Sequence, residues 1–229
     1  MKLSGKVVVI TGASSGLGAA LARAFSESGC KVVASSNDGV CLKRVGRELG
    51  VSSFLDDVAK EKDVSKLAAF ALEKFGRIDV WINNAGITAP SRDIEKGDME
   101  KAHRIMEVNF FGTVYGTIAA LAAMRKRKRG VIVNVISVRA LESDVRPGIY
   151  SASKWAVRGF TEGLRSSSKM KDINVVAVYP GAIKTELWGK KSPAGYEGFM
   201  EPAFVARKIV LNLERRNPLR KLIMRKWKE

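Results

Sequence analysis

Tyr150 and Lys154 stand four positions apart in Tyr150-Ser151-Ala152-Ser153-Lys154, a spacing that puts both on one face of a helix. Such a pair is equipped to move a proton. A phenol ordinarily ionises near pH 10, and bringing that to pH 7 takes about 4 kcal/mol, part of which a neighbouring cation supplies. Ser137, upstream at the end of the apolar run 131–136, can donate a hydrogen bond to an oxygen on which negative charge develops. A second chemistry is written near the start. Thr11-Gly12-Ala13-Ser14-Ser15-Gly16-Leu17-Gly18 follows the strand-like Val7-Val8-Val9-Ile10 directly and opens a helix. Gly12 permits the tight turn, Gly16 lets backbone approach a pyrophosphate, and Gly18 lets the helix pack close on its strand. The free N–H groups and positive end of that helix then hold phosphates. Taken alone, Tyr-x-x-x-Lys is an exposed pair on an amphipathic helix, and a Gly/Ser turn need hold nothing. The strand before this turn and the helix after it give the turn its weight.

The elements that must carry these residues alternate. Short β-branched runs recur at 7–10, 32–34, 78–82, 131–136 and 174–178, with a seventh strand expected at 222–224. Segments with helical spacing lie between them, at about 15–28, 39–49, 60–75, 98–128, 149–169 and 202–215. Strands alternating with helices of this length imply βαβ units and a parallel sheet. Near-continuous apolar strands imply a sheet covered on both faces, and right-handed crossovers make the fold doubly wound. The expected class is therefore α/β, a doubly wound, Rossmann-like parallel sheet with helices on both faces, in one domain over 1–229.

The glycine spacing is T-G-x-x-x-G-x-G, and here the chain resembles the short-chain dehydrogenase/reductase family. Asn83-Asn84-Ala85-Gly86 after the fourth strand, Ser137 at the end of the fifth, Tyr150 with Lys154, and Pro180-Gly181-Ala182-Ile183-Lys184-Thr185 after the sixth match that family in order. The match covers nearly the whole chain. The resemblance implies a catalytic set of Asn109, Ser137, Tyr150 and Lys154. Tyr150 would be the general acid/base, helped by Lys154 and by the positive charge of an oxidised nicotinamide. Lys154 would also hold the nicotinamide ribose, Ser137 would bind the reacting oxygen, and Asn109 would hold a water linking Lys154 to solvent. Cofactor contacts would come from Gly12, Ser14, Ser15, Gly16, Leu17, Gly18, Asn84, Ala85, Gly86, Pro180, Gly181, Ile183 and Thr185, and from Asp57 and Val58 at the adenine.

An acidic residue at the end of the second strand would bond the adenosine 2′-OH and repel a 2′-phosphate. Ser36 stands there, which leans toward NADP(H) over NAD(H). Asn37 takes the place of the family's phosphate-clamping arginine, so Ser36, Asn37, Lys43 or Arg44 would have to serve, while Asp38 argues the other way. Residues 186–200 resemble a mobile substrate lid, in which Trp188, Tyr196, Phe199 and Met200 either wall the pocket or pack under the last helix; Trp188, with Ser137 and Tyr150, is the expected substrate contact.

The 229 residues carry 40 Lys and Arg against 23 Asp and Glu, a net charge of +17, with 46 % hydrophobic residues. This composition excludes disorder, collagen-like repeats and a disulfide scaffold. Cys30 and Cys41 lack metal-ligand spacing and His103 is the only histidine, so no metal is expected. Reduced thiols point to the cytoplasm, and no membrane-spanning run of about 18 apolar residues is evident. The charge gathers in Arg125-Lys126-Arg127-Lys128-Arg129 and in a basic tail at 215–229. Removing five residues of the first and seven of the second leaves 28 basic against 23 acidic. Three functions follow. The leading one is an NADP(H)-dependent oxidoreductase acting on a carbonyl or secondary alcohol, as a homodimer or homotetramer. The second is a 3-oxoacyl-[acyl-carrier-protein] reductase whose run 125–129 docks an acidic carrier. The third is a non-catalytic binder of nucleic acid or an anionic surface, a membrane included, through the basic patches.

Overall fold

The computed structural model describes residues 2–88, 98–142, 148–167, 172–188, 193 and 195–225, with the Trp188 side chain left undescribed. Seven strands form one sheet: β1 Val7–Thr11, β2 Lys31–Ser36, β3 Ser52–Leu55, β4 Val80–Asn83, β5 Gly130–Val135, β6 Ile173–Pro180 and β7 Lys221–Met224. Their order is β3-β2-β1-β4-β5-β6-β7, and every pairing is parallel. The expected α/β doubly wound class holds. The strand order reverses direction between β1 and β4, which opens a crevice at the carboxyl edge of the sheet.

The strands are apolar on both sides because both sides are covered. Val8 and Ile10 pack with Leu21 and Phe25 of α1 (Gly16–Glu27), Leu42 and Val45 of α2 (Gly39–Leu49), and Val205, Ile209 and Leu213 of the last helix, Pro202–Glu214. Val9, between them, faces the other way with Val33, Trp81 and Ile132. There it meets Leu67 and Ala71 of α3 (Glu61–Phe75) and Leu121 and Met124 of α5 (Gly112–Arg125). A smaller cluster joins Ile136, Ala177 and Tyr179 to Val157 of α6 (Ile149–Ser166). The last helix is thus α7.

Two expectations change. The segment 98–128 is not one regular helix: α4 (Met99–Met106) passes through a π-helical turn, Glu107–Phe111, into α5. Together they form a helix, Met99–Arg125, long and apolar enough to cross a membrane, contrary to the expectation that no such run exists; half of its most apolar window is buried against the rest of the fold. Strand β5 stops at Val135, so Ser137 lies beyond it, at the head of a 3-10 turn, Val138–Ala140. The ends of the helix expected to 169 and of the tail expected to 229 lie outside the described residues at 168–169 and 226–229.

Candidate active site

The turn after β1 is stitched to the turn after β4 across the crevice. Thr11 Oγ1 accepts from the backbone N–H groups of Asn84 at 3.1 Å and Ala85 at 3.2 Å. The Asn84 amide donates back to Thr11 O at 2.9 Å and Gly12 O at 3.2 Å. Gly12 has φ +65°, and a Cβ there would lie 2.8 Å from the Ala85 Cα; only glycine permits both. A Cβ on Gly18 would collide with Gly12 O, the close packing expected of this position. Ser15 heads α1 in extended backbone with no side-chain cap, and the first turn carries no acidic residue. Its N–H donors and positive end suit an anion such as a pyrophosphate, so the cradle fits a dinucleotide. Gly16, at φ +50°, approaches Thr185: a Cβ there would lie 3.0 Å from Thr185 Cγ2 and 3.5 Å from Glu186 Oε2. An anionic ligand entering this corner must turn the Glu186 carboxylate aside.

At the nucleoside end, Ser36 is buried, and its hydroxyl is engaged with Ser14 Oγ at 2.8 Å and accepts from Asp38 N at 3.1 Å. Asp38 caps α2, accepting from Val40 N and Cys41 N at 3.1 and 3.0 Å. These bonds, above all the one from Cys41, and the charge of Arg44 hold its carboxyl below the usual range. Asp38 is therefore committed to its helix. Asn37 is exposed. Lys43 lines an open hollow between α2 and β3 with Arg47 and Ser53, which leaves Arg44 as the cation beside Asp38. Asp57 accepts from Ala59 N at 3.1 Å and from Arg104 Nη2 at both oxygens, 3.0 and 2.8 Å. Val58 abuts Gly112, where a Cβ would lie 3.0 Å from Val58 Cγ2.

The residues expected to do chemistry converge on the same edge. Lys154, 4 % exposed, donates from Nζ to Val135 O at 3.2 Å and lies 5.8 Å above the Tyr150 ring. Burial alone brings its pKa down to about 8. Burial pushes the Tyr150 phenol up, while its hydrogen bond with Ser137 and the charge of Arg139 pull the other way. Lys154 thus does not by itself lower the phenol in this state. Ser137 Oγ also accepts from Arg139 N at 3.2 Å. Asn109, fully buried in the π-helical turn, spends its amide on protein: it accepts from Ile87 N at 2.8 Å and donates to Ile87 O at 3.0 Å and Ser153 Oγ at 2.9 Å. Ser153 Oγ in turn donates to Tyr150 O at 2.7 Å. Asn109 therefore ties the turn after β4 to the helix turn that carries Tyr150. Gly86 faces this group, since a Cβ there would lie 3.4 Å from Asn109 Oδ1 and 3.5 Å from Lys154 Nζ.

Pro180 ends β6, and Gly181 N donates to Met224 O at 2.7 Å. Ile183 bridges to Met200, and Lys184 N and Met200 N bond across that bridge at 2.9 and 3.0 Å. The two ends of the segment expected to form a lid therefore meet at one point. Met200 is buried in the core with Val205 and Ala206, so it does not wall a pocket. Tyr196 and Phe199 pair at 5.4 Å. Trp188 lies on a 3-10 turn, Glu186–Trp188; its side chain, and lid residues 189–192 and 194, lie outside the described residues.

A buried polar chain escaped the sequence. Asn83 Oδ1 accepts from Trp81 Nε1 at 2.8 Å, its amide donates to Asn134 Oδ1 at 2.9 Å, and Asn134 donates to Thr161 Oγ1 of α6 at 2.9 Å. It fixes α6, and with it Tyr150 and Lys154, to the middle of the sheet. Asparagines interrupting two apolar strands were the signal. The run 125–129 sits elsewhere, at the carboxyl end of α5 and the amino end of β5, where Arg127 meets Asp79 at 3.4 Å. That is the opposite edge of the sheet from Ser137. Trp155 is exposed, with Arg158 stacked 4.8 Å above it, and His103 is exposed.

The model of the short chain dehydrogenase family matches residues 6–195. A diacetyl reductase [(S)-acetoin forming] of Staphylococcus epidermidis is 36 % identical over 191 residues, covering 81 % of this chain and 74 % of that protein. An alcohol dehydrogenase of the archaeon Thermococcus sibiricus, solved with 5-hydroxy-NADP, superposes with a TM-score of 0.87 at 29 % identity, over 98 % of this chain and 97 % of that one. A 3-ketoacyl-(acyl-carrier-protein) reductase of Brucella melitensis, solved with NADH, gives 0.89 at 29 % identity over 96 % and 97 %. With the glycine cradle, the parallel sheet and the Ser137–Tyr150–Lys154 cluster at its carboxyl edge, these matches place the chain in the short-chain dehydrogenase/reductase family of oxidoreductases.

Proposed function

We propose that the protein transfers hydride between NADP(H), in preference to NAD(H), and a carbonyl or secondary alcohol, with Tyr150 as the general acid/base. The observation that carries this reading is the buried Lys154 ammonium set 5.8 Å over the Tyr150 ring, at the edge where the glycine cradle opens. A bound nicotinamide supplies or accepts the hydride. In reduction, Tyr150 gives its phenolic proton to the substrate oxygen, and in oxidation it takes that proton back. Ser137 donates to the same oxygen and stabilises charge developing on it. Lys154 holds the nicotinamide ribose hydroxyls, and its charge adds to that of the oxidised ring in lowering the phenol. Asn109 keeps Ile87 and Ser153 in place, which fixes the turn under Tyr150. Thr185 and Ile183 meet the carboxamide, and Gly12, Ser14, Ser15, Gly16, Leu17 and Gly18 the pyrophosphate.

The NADP(H) preference is supported by the neutral Ser36 and by the commitment of Asp38 to capping α2, which takes away the nearest carboxylate. Arg44, beside Asp38, is the cation available to a 2′-phosphate. A small vicinal dicarbonyl heads the substrate classes, because the staphylococcal relative is named for diacetyl. The carrier-protein reading is favoured by the Brucella neighbour, but its docking patch at 125–129 faces away from Ser137. The non-catalytic reading leaves the Ser137–Tyr150–Lys154 cluster without a purpose. Two free cysteines fit a reducing, cytoplasmic setting, and exposed Phe111, Ile118 and Trp155 fit a homo-oligomer.

The test follows NADPH and NADH consumption across a panel with diacetyl, aliphatic ketones and an acetoacetyl thioester. We expect NADPH-dependent reduction, with Tyr150→Phe lowering kcat by about 10²–10⁴-fold and leaving NADPH affinity unchanged. An active Tyr150→Phe variant would refute the acid/base assignment. No cofactor consumption on any carbonyl, with salt-sensitive RNA binding, would refute the enzyme reading.

A further inference from the structure

We infer that Arg104 is a positioning residue for the adenine end of the cleft, holding the Asp57 carboxylate so that a single acceptor site faces the base. The inference rests on the dinucleotide reading above. Arg104 lies on α4, 47 residues from Asp57 in sequence, and its Nη2 reaches both carboxylate oxygens at 3.0 and 2.8 Å. A carboxylate offers about four lone-pair sites. Arg104 occupies one on each oxygen, and Ala59 N occupies a second on Oδ1 at 3.1 Å. The site left is on Oδ2, and it can only accept. It therefore suits a base with an exocyclic amine, such as adenine, and opposes one with a 6-oxo group, such as hypoxanthine, which brings a second acceptor. The Asp57 side chain is 19 % exposed, so water does not fully replace a hydrogen bond missing at this point. Burial pushes its carboxyl up, but the bonds from Arg104 and Ala59 and the Arg104 charge hold it below the ordinary range. Without Arg104, the Ala59 N–H is the hydrogen bond left to hold it among the described residues, with the charge of Lys60 nearby.

The placement of Arg104 gives this bond a second consequence. The same helical segment carries Asn109 in its π-helical turn and Gly112 against Val58. It is thus pinned to the adenine end by Arg104 and Gly112, and to the reacting end by the bonds of Asn109 to Ile87 and Ser153. Glu107, 3.5 Å from Arg104 Nη1, steadies the guanidinium.

The experiment compares dissociation constants, by titration calorimetry or quenching of protein fluorescence, for the adenine dinucleotide and its hypoxanthine analogue, both as reduced cofactors, and for nicotinamide mononucleotide. The wild type is expected to favour the adenine form by about tenfold or more. Arg104→Gln should remove most of that ratio, Arg104→Lys should restore part of it, and neither should alter mononucleotide binding. Arg104→Gln with Asp57→Asn should give the same ratio as Asp57→Asn alone. The ratio reports only folded, binding-competent protein, so a partly unfolded variant does not blur it. A ratio untouched by Arg104→Gln, or two substitutions whose effects simply add, overturns the inference while the dinucleotide reading stands. A wild type that binds neither dinucleotide overturns both.

Discussion

Lys154 is held where a cation is poorly solvated. It is 4 % exposed, and its ammonium donates to Val135 O at 3.2 Å. Its pKa falls from 10.5 to about 8, so the folded chain binds this proton less readily than the unfolded chain. Stability therefore rises as pH climbs from about 8 to 10.5, and the penalty is fully present below 8. It amounts to about 3 kcal/mol. Lys154→Met, which keeps the stem and drops the charge, is expected to raise the unfolding midpoint at pH 7 while abolishing turnover. Its advantage should shrink toward pH 10.5. Urea denaturation of both proteins at pH 7 and pH 10 checks this, and a less stable variant at pH 7 would contradict it. Residues of this kind were legible because their chemistry dictates their types: a proton-moving phenol needs a cation one helical turn away, and a phosphate cradle needs glycines. Arg104 was not legible, and Asn83 showed only as an asparagine in an apolar strand, without its partner. Their partners lie 47 and 51 positions away, and no local pattern distinguishes an arginine that reaches a carboxylate from one on a solvated face. Asp56 shows the same limit. Beside Asp57, Asp56 gives no local sign of its burial, yet it is buried, and burial raises its carboxyl to about 6.

Elements with strong periodicity stood where expected: α2 spans Gly39–Leu49, and α7 begins at Pro202, whose fixed φ suits a first turn. The exceptions have local causes. β3, Ser52–Leu55, is a short edge strand with a partly polar face, so no apolar run announced it. The π-helical turn inserts its change of pitch inside a helix, where apolar spacing shifts by a single residue. It is visible only in the bonds, where Gly112 N reaches Glu107 O and Thr113 Oγ1 donates to the Asn109 carbonyl at 2.8 Å. Such turns recur at functional sites, and this one aims Asn109 at Ile87. Asp79 organises the opposite ends of the strands. Buried beside β4, it accepts from Val7 N of β1 at 2.9 Å and from Arg77 at 3.0 Å, and it meets Arg127 at 3.4 Å and Lys6 at 3.9 Å. One carboxylate thus ties β1 and β4 to the α5–β5 connection and gives part of the basic run a structural use. Asp79→Ala would leave that N–H and its cations unpaired. It is expected to cost about 3 kcal/mol, read as a lower denaturation midpoint with an unchanged slope; a loss under about 1 kcal/mol would mean the carboxylate is dispensable.

Across the whole molecule the charge is unevenly placed, and this bears on assembly. Among the exposed apolar residues, Phe111 ends the π-helical turn, Ile118 lies on α5, and Trp155 lies on α6 with Arg158 stacked over it. Others, Phe204 and Leu211 on α7 and Leu219 and Ile223 just before and within β7, stand close in sequence to Lys208, Arg220 and Lys221. β7 is also one of the two edge strands of the sheet, and cations on an edge strand oppose pairing with an identical edge. Two copies meeting there across a two-fold axis would bring like charges together. Such repulsion reaches about 10 Å in 0.1 M salt and only about 3 Å in 1 M. α5 carries no charged residue before Arg125, so the face it offers meets less of this repulsion. The chain is therefore expected to be a dimer through α5 and α6 at about 0.05 M salt and to associate further through β7 only as salt approaches about 1 M. Ile118→Glu should give a monomer in low salt, and Lys221→Glu should permit the larger assembly without added salt. Light scattering across that range decides the matter, because a tetramer already complete in low salt would show that the β7 charges do not govern pairing.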